Sequence, residues 1–183
     1  LVVTTSSCSG RIAVFLGGAD PASCKGGEWL LASHERVDDA APVWAELAQT
    51  LATRGPDALR GTLVTLLLEP FLLHAECADA DTAQRILTIA RGAGFRESGL
   101  SLGRRRVMVQ IRTTALRLDV PLAADGRLLV AEDYFGTLVD LANGRLAENH
   151  RRVARLWAEL RSGLGRACVG EDAAGAGEEP WML

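Results

Sequence analysis

Apolar positions recur along this chain with two periods. Runs with strand character come first: Arg11–Leu16 and Trp29–His34 read as two strands around a glycine-rich turn, residues 17–27. Thr62–Leu68 and Phe71–Cys77 are a second pair, broken at Glu69-Pro70, where proline's missing N–H suits a strand end or edge. Helical spacing governs Pro42–Arg54, with Val43, Leu47 and Leu51 four apart, Pro42 in the first turn and Gly55-Pro56 as the expected stop. Asp79–Arg91 is the next helix, capped by Asp79 or Asp81, with Ala83, Ile86, Leu87 and Ala90 on one face and Gly92 at its end. Ser98–Leu102 and Val107–Arg112 predict a hairpin turned through residues 103–106, and Leu116–Leu122 a further strand. From Ala131 to about Ser162 a single stripe, including Leu138, Ala142, Leu146, Val153, Trp157 and Leu160, stays in register through Gly144, so one long helix is expected.

Strands and helices do not alternate regularly, which argues against a doubly wound parallel sheet. No GxGxxG follows a strand and no GxxxxGK[ST] occurs, so nothing points to a classical Rossmann nucleotide cradle. The expected class is α+β: a mixed, largely antiparallel sheet covered by helices, with a long C-terminal helix. Residues 1–166 read as one catalytic domain. Residues 167–183, rich in Gly, Ala and acids, read as a disordered tail.

Composition narrows the function classes. At 183 residues the chain can bury a substantial core. No apolar run approaches a membrane span. Three scattered histidines and four cysteines without a CxxC pair give no metal-ligand spacing, which disfavours a metal hydrolase. The thiols read as reduced and cytosolic, with a Cys8–Cys24 bridge left open. Net charge is −3, yet Leu100–Arg166 holds 12 arginines against 7 acidic residues, enough to face a phosphate backbone. The 19 arginines against one lysine also fit a GC-rich coding bias.

Four polar islands carry candidate chemistry. Thr4-Thr5-Ser6-Ser7-Cys8-Ser9-Gly10-Arg11 puts small side chains before a glycine and a guanidinium fork; its bland alternative is a polar loop. Lys25-Gly26-Gly27-Glu28-Trp29 precedes Ser33-His34. Glu69-Pro70-Phe71-Leu72-Leu73-His74 ends one strand and enters the next, with His74 facing away from Phe71, Leu73, Ala75 and Cys77. Gly94-Phe95-Arg96-Glu97-Ser98-Gly99 joins a helix to a strand.

In this order and spacing the islands resemble the tRNA wybutosine-synthesizing protein 3 family, from about Val3 to Leu160. The resemblance implies an S-adenosyl-L-methionine-dependent methyltransferase that N4-methylates the demethylated aminocarboxypropyl-wyosine intermediate next to the anticodon of tRNA-Phe. It implies a cytoplasmic enzyme without membrane or metal, fused to or cooperating with other wybutosine-pathway enzymes. It also implies a helical segment ahead of the hydroxyl run, so the chain is expected to be N-terminally truncated. His74 and Glu69 become the catalytic candidates. Ser7, Ser9, Gly10, Arg11, Trp29, Ser33, His34, Arg96, Ser98 and Gly99 are candidates for the cofactor, and Arg104, Arg105, Arg106, Arg112 and Arg152 for RNA. Glu97 replaces an expected neutral residue and receives no role. The rival is a non-catalytic RNA-binding module.

Overall fold

In the computed structural model, residues 2–19 and 26–164 are described, and they form nine strands, three helices and two antiparallel sheets. The expected tail therefore lies outside the described residues, as does most of the glycine-rich turn. The fold is α+β, with a long C-terminal helix and no Rossmann arrangement. Two compact units divide the chain: residues 2–10, 70–115 and 148–164 in the first, 11–19, 26–69 and 116–147 in the second.

The first unit holds a four-stranded sheet in the order β1-β5-β7-β6, from β1 (Val2–Cys8), β5 (Leu72–Cys77), β7 (Val107–Arg112) and β6 (Gly99–Leu102). The hydroxyl run is thus a strand and not a loop. Its polar composition suits a sheet edge, where side chains need no core and blunt further pairing. Strand alternation sends Ala75, Cys77, Val109 and Ile111 inward. They meet Ala83, Ile86, Leu87 and Ala90 of helix α2 (Ala80–Gly92). Asp79 caps α2, accepting from the Thr82 N–H at 2.7 Å, and that bond holds its carboxyl below the usual range.

A five-stranded sheet in the order β3-β2-β4-β8-β9 builds the second unit, from β2 (Arg11–Gly18), β3 (Glu28–Ser33), β4 (Thr62–Glu69), β8 (Leu118–Ala124) and β9 (Arg127–Leu128). Ile12, Val14, Leu66 and Leu68 leave water almost completely, each contributing about 1.5–3 kcal/mol. They pack with Val43, Leu47 and Leu51 of helix α1 (Ala41–Ala58). The regular helix ends at the expected stop, Gly55-Pro56, and only a short further turn follows across a kink. Gly55 leaves helical geometry at φ 73°, ψ 165°, and Pro56 opens a new turn that runs to Ala58.

Helix α3 (Glu132–Leu164) runs 33 residues without interruption at Gly144. Phe135, Leu138, Val139, Ala142 and Leu146 join the core of the second unit; Val153, Leu156 and Leu160 join that of the first. No helix among the described residues is long and apolar enough to cross a membrane.

Candidate functional site

In the first unit the sheet has one core face and one open face. Antiparallel pairing puts directly opposed residues on the same face. Ser6 opposes His74, His74 opposes Gln110, and Gln110 opposes Gly99. Ser6, His74 and Gln110 form a polar row on the face opposite Ala75 and Cys77, and Gly99 continues its line onto the fourth strand. His74 and Gln110 are half-buried and Ser6 is exposed. A hydrogen bond from Thr5 Oγ1 to the His74 carbonyl, 3.1 Å, ties β1 to β5 at this level. Gly99 needs no left-handed backbone, and a Cβ there would meet nothing within 4 Å, so the row ends in open space. Ser7 pairs with Leu73 on the other face.

The approach to β6 is held by two arginines. Arg91 donates to the Ser98 carbonyl at 3.0 Å, and Arg112 Nε to the Glu97 carbonyl at 3.3 Å. The buried Ser98 hydroxyl accepts from the Arg112 N–H at 3.2 Å. Between them Arg96 is exposed and has no carboxylate partner among the described residues. At the other end of the unit Asn149, fully buried, accepts from the Phe71 N–H at 2.8 Å and donates to the Ser9 carbonyl at 2.7 Å. One side chain thus fixes both the end of the hydroxyl run and the entry to β5. Gly10 follows at φ 101°, a backbone that favours glycine. Arg152 is paired with Glu148 at 3.0 Å, and Arg106 with Glu76 at 3.6 Å.

In the second unit Arg11, Trp29 and Glu69 do come together. Arg11 opposes Glu69 across β2 and β4, and its Nε reaches the carboxylate at 2.5 Å. The same guanidinium lies 4.4 Å from the Trp29 ring centre, a cation–π distance. Trp29 also leans on Phe15, with centroids 4.5 Å apart, while staying 45 % exposed. A Cβ at Gly17 or Gly27 would collide with the Phe15 ring, so these glycines make room for the aromatic pair. Ser33 is occupied with Glu35, donating to its carbonyl at 2.9 Å and accepting from its N–H at 3.1 Å. His34 is exposed just past β3.

Charge divides between the units. The described residues of the first carry 11 arginines against 6 acidic residues; those of the second carry 7 against 12. Among the described residues no group of His, Cys, Asp and Glu is gathered to hold a metal. Cys8 and Cys77 are free thiols; burial first, then the charge of Asp79, pushes the Cys77 thiol up.

Comparison with known proteins decides the family. The Methyltransferase TYW3 family profile matches residues 1–162. The chain belongs to this family. The tRNA wybutosine-synthesizing protein 3 homologs of Pongo abelii and Homo sapiens are 36 % and 34 % identical over 166 residues, each alignment covering 89 % of this chain and 60 % of the relative. The chain therefore spans about three-fifths of the length of these curated relatives. A rice tRNA wybutosine-synthesizing protein 2/3/4 is 36 % identical over 164 residues, 82 % of this chain but 15 % of that protein. A solved Pyrococcus horikoshii structure aligns with TM-score 0.73 and 26 % identity, covering 88 % of this chain and 76 % of its own.

Two residues of this TYW3-family chain escaped sequence reasoning. Gln110 enters the row only through strand register, although its alternation with Val109 and Ile111 already marks it as outward-facing. Asn149 is a polar residue on a helix face otherwise apolar, a signal the sequence does carry.

Proposed function

We propose that this chain is a tRNA methyltransferase of wybutosine synthesis. It would take the methyl group from S-adenosyl-L-methionine and place it on N4 of the demethylated aminocarboxypropyl intermediate next to the anticodon of tRNA-Phe, in the cytoplasm. The observation that carries this is the family match over residues 1–162. The names of the relatives support the pathway, and the rice name, 2/3/4, supports cooperation with or fusion to other enzymes of that pathway.

The residues present fit parts of such a cofactor. In the first unit Arg96 offers an exposed guanidinium to a carboxylate; in the second, Trp29 is assigned a stacking role, although Arg11 and Phe15 already lie against its ring. Ser98 and Gly99 shape the strand beside Arg96; Ser7, Ser9, Gly10, Ser33 and His34 are assigned to ligand walls. Bound cofactor supplies a methyl group on a positively charged sulfur, so transfer to a ring nitrogen depends on in-line positioning and an available lone pair. His74 is the residue assigned to hold the acceptor nitrogen or take its proton. Glu69 stands second, because its carboxylate is already committed to Arg11. The arginine excess of the first unit suits tRNA phosphate.

The test is transfer of a labelled methyl group to tRNA carrying the intermediate, with titration calorimetry of the cofactor alone. Binding in about the micromolar range together with transfer supports the enzyme. Tight RNA binding without any cofactor heat or transfer would make the chain a non-catalytic RNA-binding module.

A further inference from the structure

The hairpin of β6 and β7 ends in a two-residue bend. The Gly103 N–H donates to the Arg106 carbonyl at 2.9 Å, which leaves Arg104 and Arg105 at the tip. Both are exposed and neither has a carboxylate partner among the described residues, whereas Arg106 is drawn back toward Glu76. Leu102, just before the bend, is unusual. Its partner is Val107, and it shares the core-facing side with Leu100 and Val109. Leu100 and Val107 pack on that core, but Leu102 is 66 % exposed. The hairpin thus carries an apolar side chain past the end of the core that its face would serve. It does so in the unit with the arginine excess.

We propose that this tip docks on RNA, with Arg104 and Arg105 holding phosphates and Leu102 wedged against an unstacked base. The inference rests on the reading that the chain acts on RNA, and it adds which element makes the contact. Charge complementarity names the occupant: two guanidinium groups without a carboxylate partner among the described residues suit a polyanion. A leucine beside them matches the apolar wedges that proteins press between bases. One leucine buries too little surface to anchor the chain in a membrane.

The full chain is titrated, over a series of salt concentrations, against an RNA stem-loop with a single-stranded loop and against a fully paired RNA duplex. Each neutralised phosphate contributes about 0.7–0.9 to the slope of log affinity against log salt. The double variant Arg104→Ala/Arg105→Ala should therefore lower the slope by about 1.4–1.8. Arg155→Ala/Arg161→Ala, which removes equal charge from α3 of the same unit, should leave it near wild type. Leu102→Ser should weaken stem-loop binding about tenfold at fixed salt, with an unchanged slope and an unchanged duplex affinity. Leu102→Met should bind as wild type. Equal slopes for the two arginine pairs, or no selective loss in Leu102→Ser, overturn the proposal; so does an equal dependence on these residues for anionic phospholipid vesicles. If wild type binds the stem-loop as described but transfers no methyl group, the tip assignment stands and the proposed reaction falls.

Discussion

His74 shows how much a strand position decides for one residue. Its imidazole shares a face with Ser6 and Gln110, away from Ala75 and Cys77, so a ligand can reach it without opening a core. Under the proposed reaction, His74→Ala should slow single-turnover methyl transfer by about 10²–10³-fold while cofactor affinity changes little. His74→Gln separates the roles: near-normal turnover means positioning, and a loss equal to Ala means proton transfer. Gln110→Ala should raise KM for the tRNA more than it lowers kcat, because an amide beside the reacting group reads shape rather than moving protons. Wild-type kinetics for both positions would remove the row from the site. Cys77 gives a pH test. Its raised pKa keeps the thiol protonated, so Cys8 should react with iodoacetamide well before Cys77 near neutral pH, as read by peptide mass mapping. The sign follows: the neutral thiol is favoured on folding, so this contribution is full below the unfolded thiol range and is lost as pH rises through the folded value.

At the scale of elements, α3 does its positioning through two asparagines. Asn149 ties Ser9 and Phe71, and Asn143 grips Val37 with both ends, accepting from its N–H and donating to its carbonyl at 2.9 Å each. Truncating Asn149 breaks both of these part-buried bonds at once, at about 1–2 kcal/mol each. Asn149→Ala should therefore destabilise the protein by about 2–4 kcal/mol in urea melts, whereas Gly144→Ala, in open helix, should not destabilise. If Asn149→Ala melts as wild type, the bonds to Ser9 and Phe71 carry no stability. Glu148, beside it, is held below the usual carboxylate range by Arg152 first and Arg151 second. Its stabilising contribution is present above the unfolded carboxylate range and fades as pH falls through the folded value. Glu148→Gln should accordingly show a shallower loss of stability on acidification, checked by melting temperature against pH.

For the whole molecule, the even distribution suggested by a net charge of −3 is misleading, because the described residues of the two units carry opposite excesses. Raising salt should weaken KM for tRNA steeply and leave cofactor affinity nearly unchanged, since the cofactor presents few phosphate-like charges to screen. Equal salt dependence for both ligands would mean that arginine excess has nothing to do with RNA.

What the chain determined by itself is local. Helical spacing located α2 and the unbroken α3, because side chains three and four apart share a face whatever else the protein does. Alternation put His74 opposite Ala75 and Cys77 for the same reason. The four islands pointed to the family because short-range identity survives in the string of residues. Tertiary structure decided the rest. The hydroxyl run is an edge strand, and polar residues there become a strand only when β5 supplies the hydrogen bonds. Gly55-Pro56 does break the helix, and the short turn that follows to Ala58 is a tertiary outcome, since it delivers Leu59, 1 % exposed, to the same core as Val43, Leu47 and Leu51. Arg11 is engaged by Glu69 and Trp29, partners 58 and 18 residues away, and no spacing rule announces such a pair. Gln110 joins His74 only through register. Leu102 is apolar on a core-facing position yet exposed, which alternation alone would have buried; only the end of the packed core reveals it as surface.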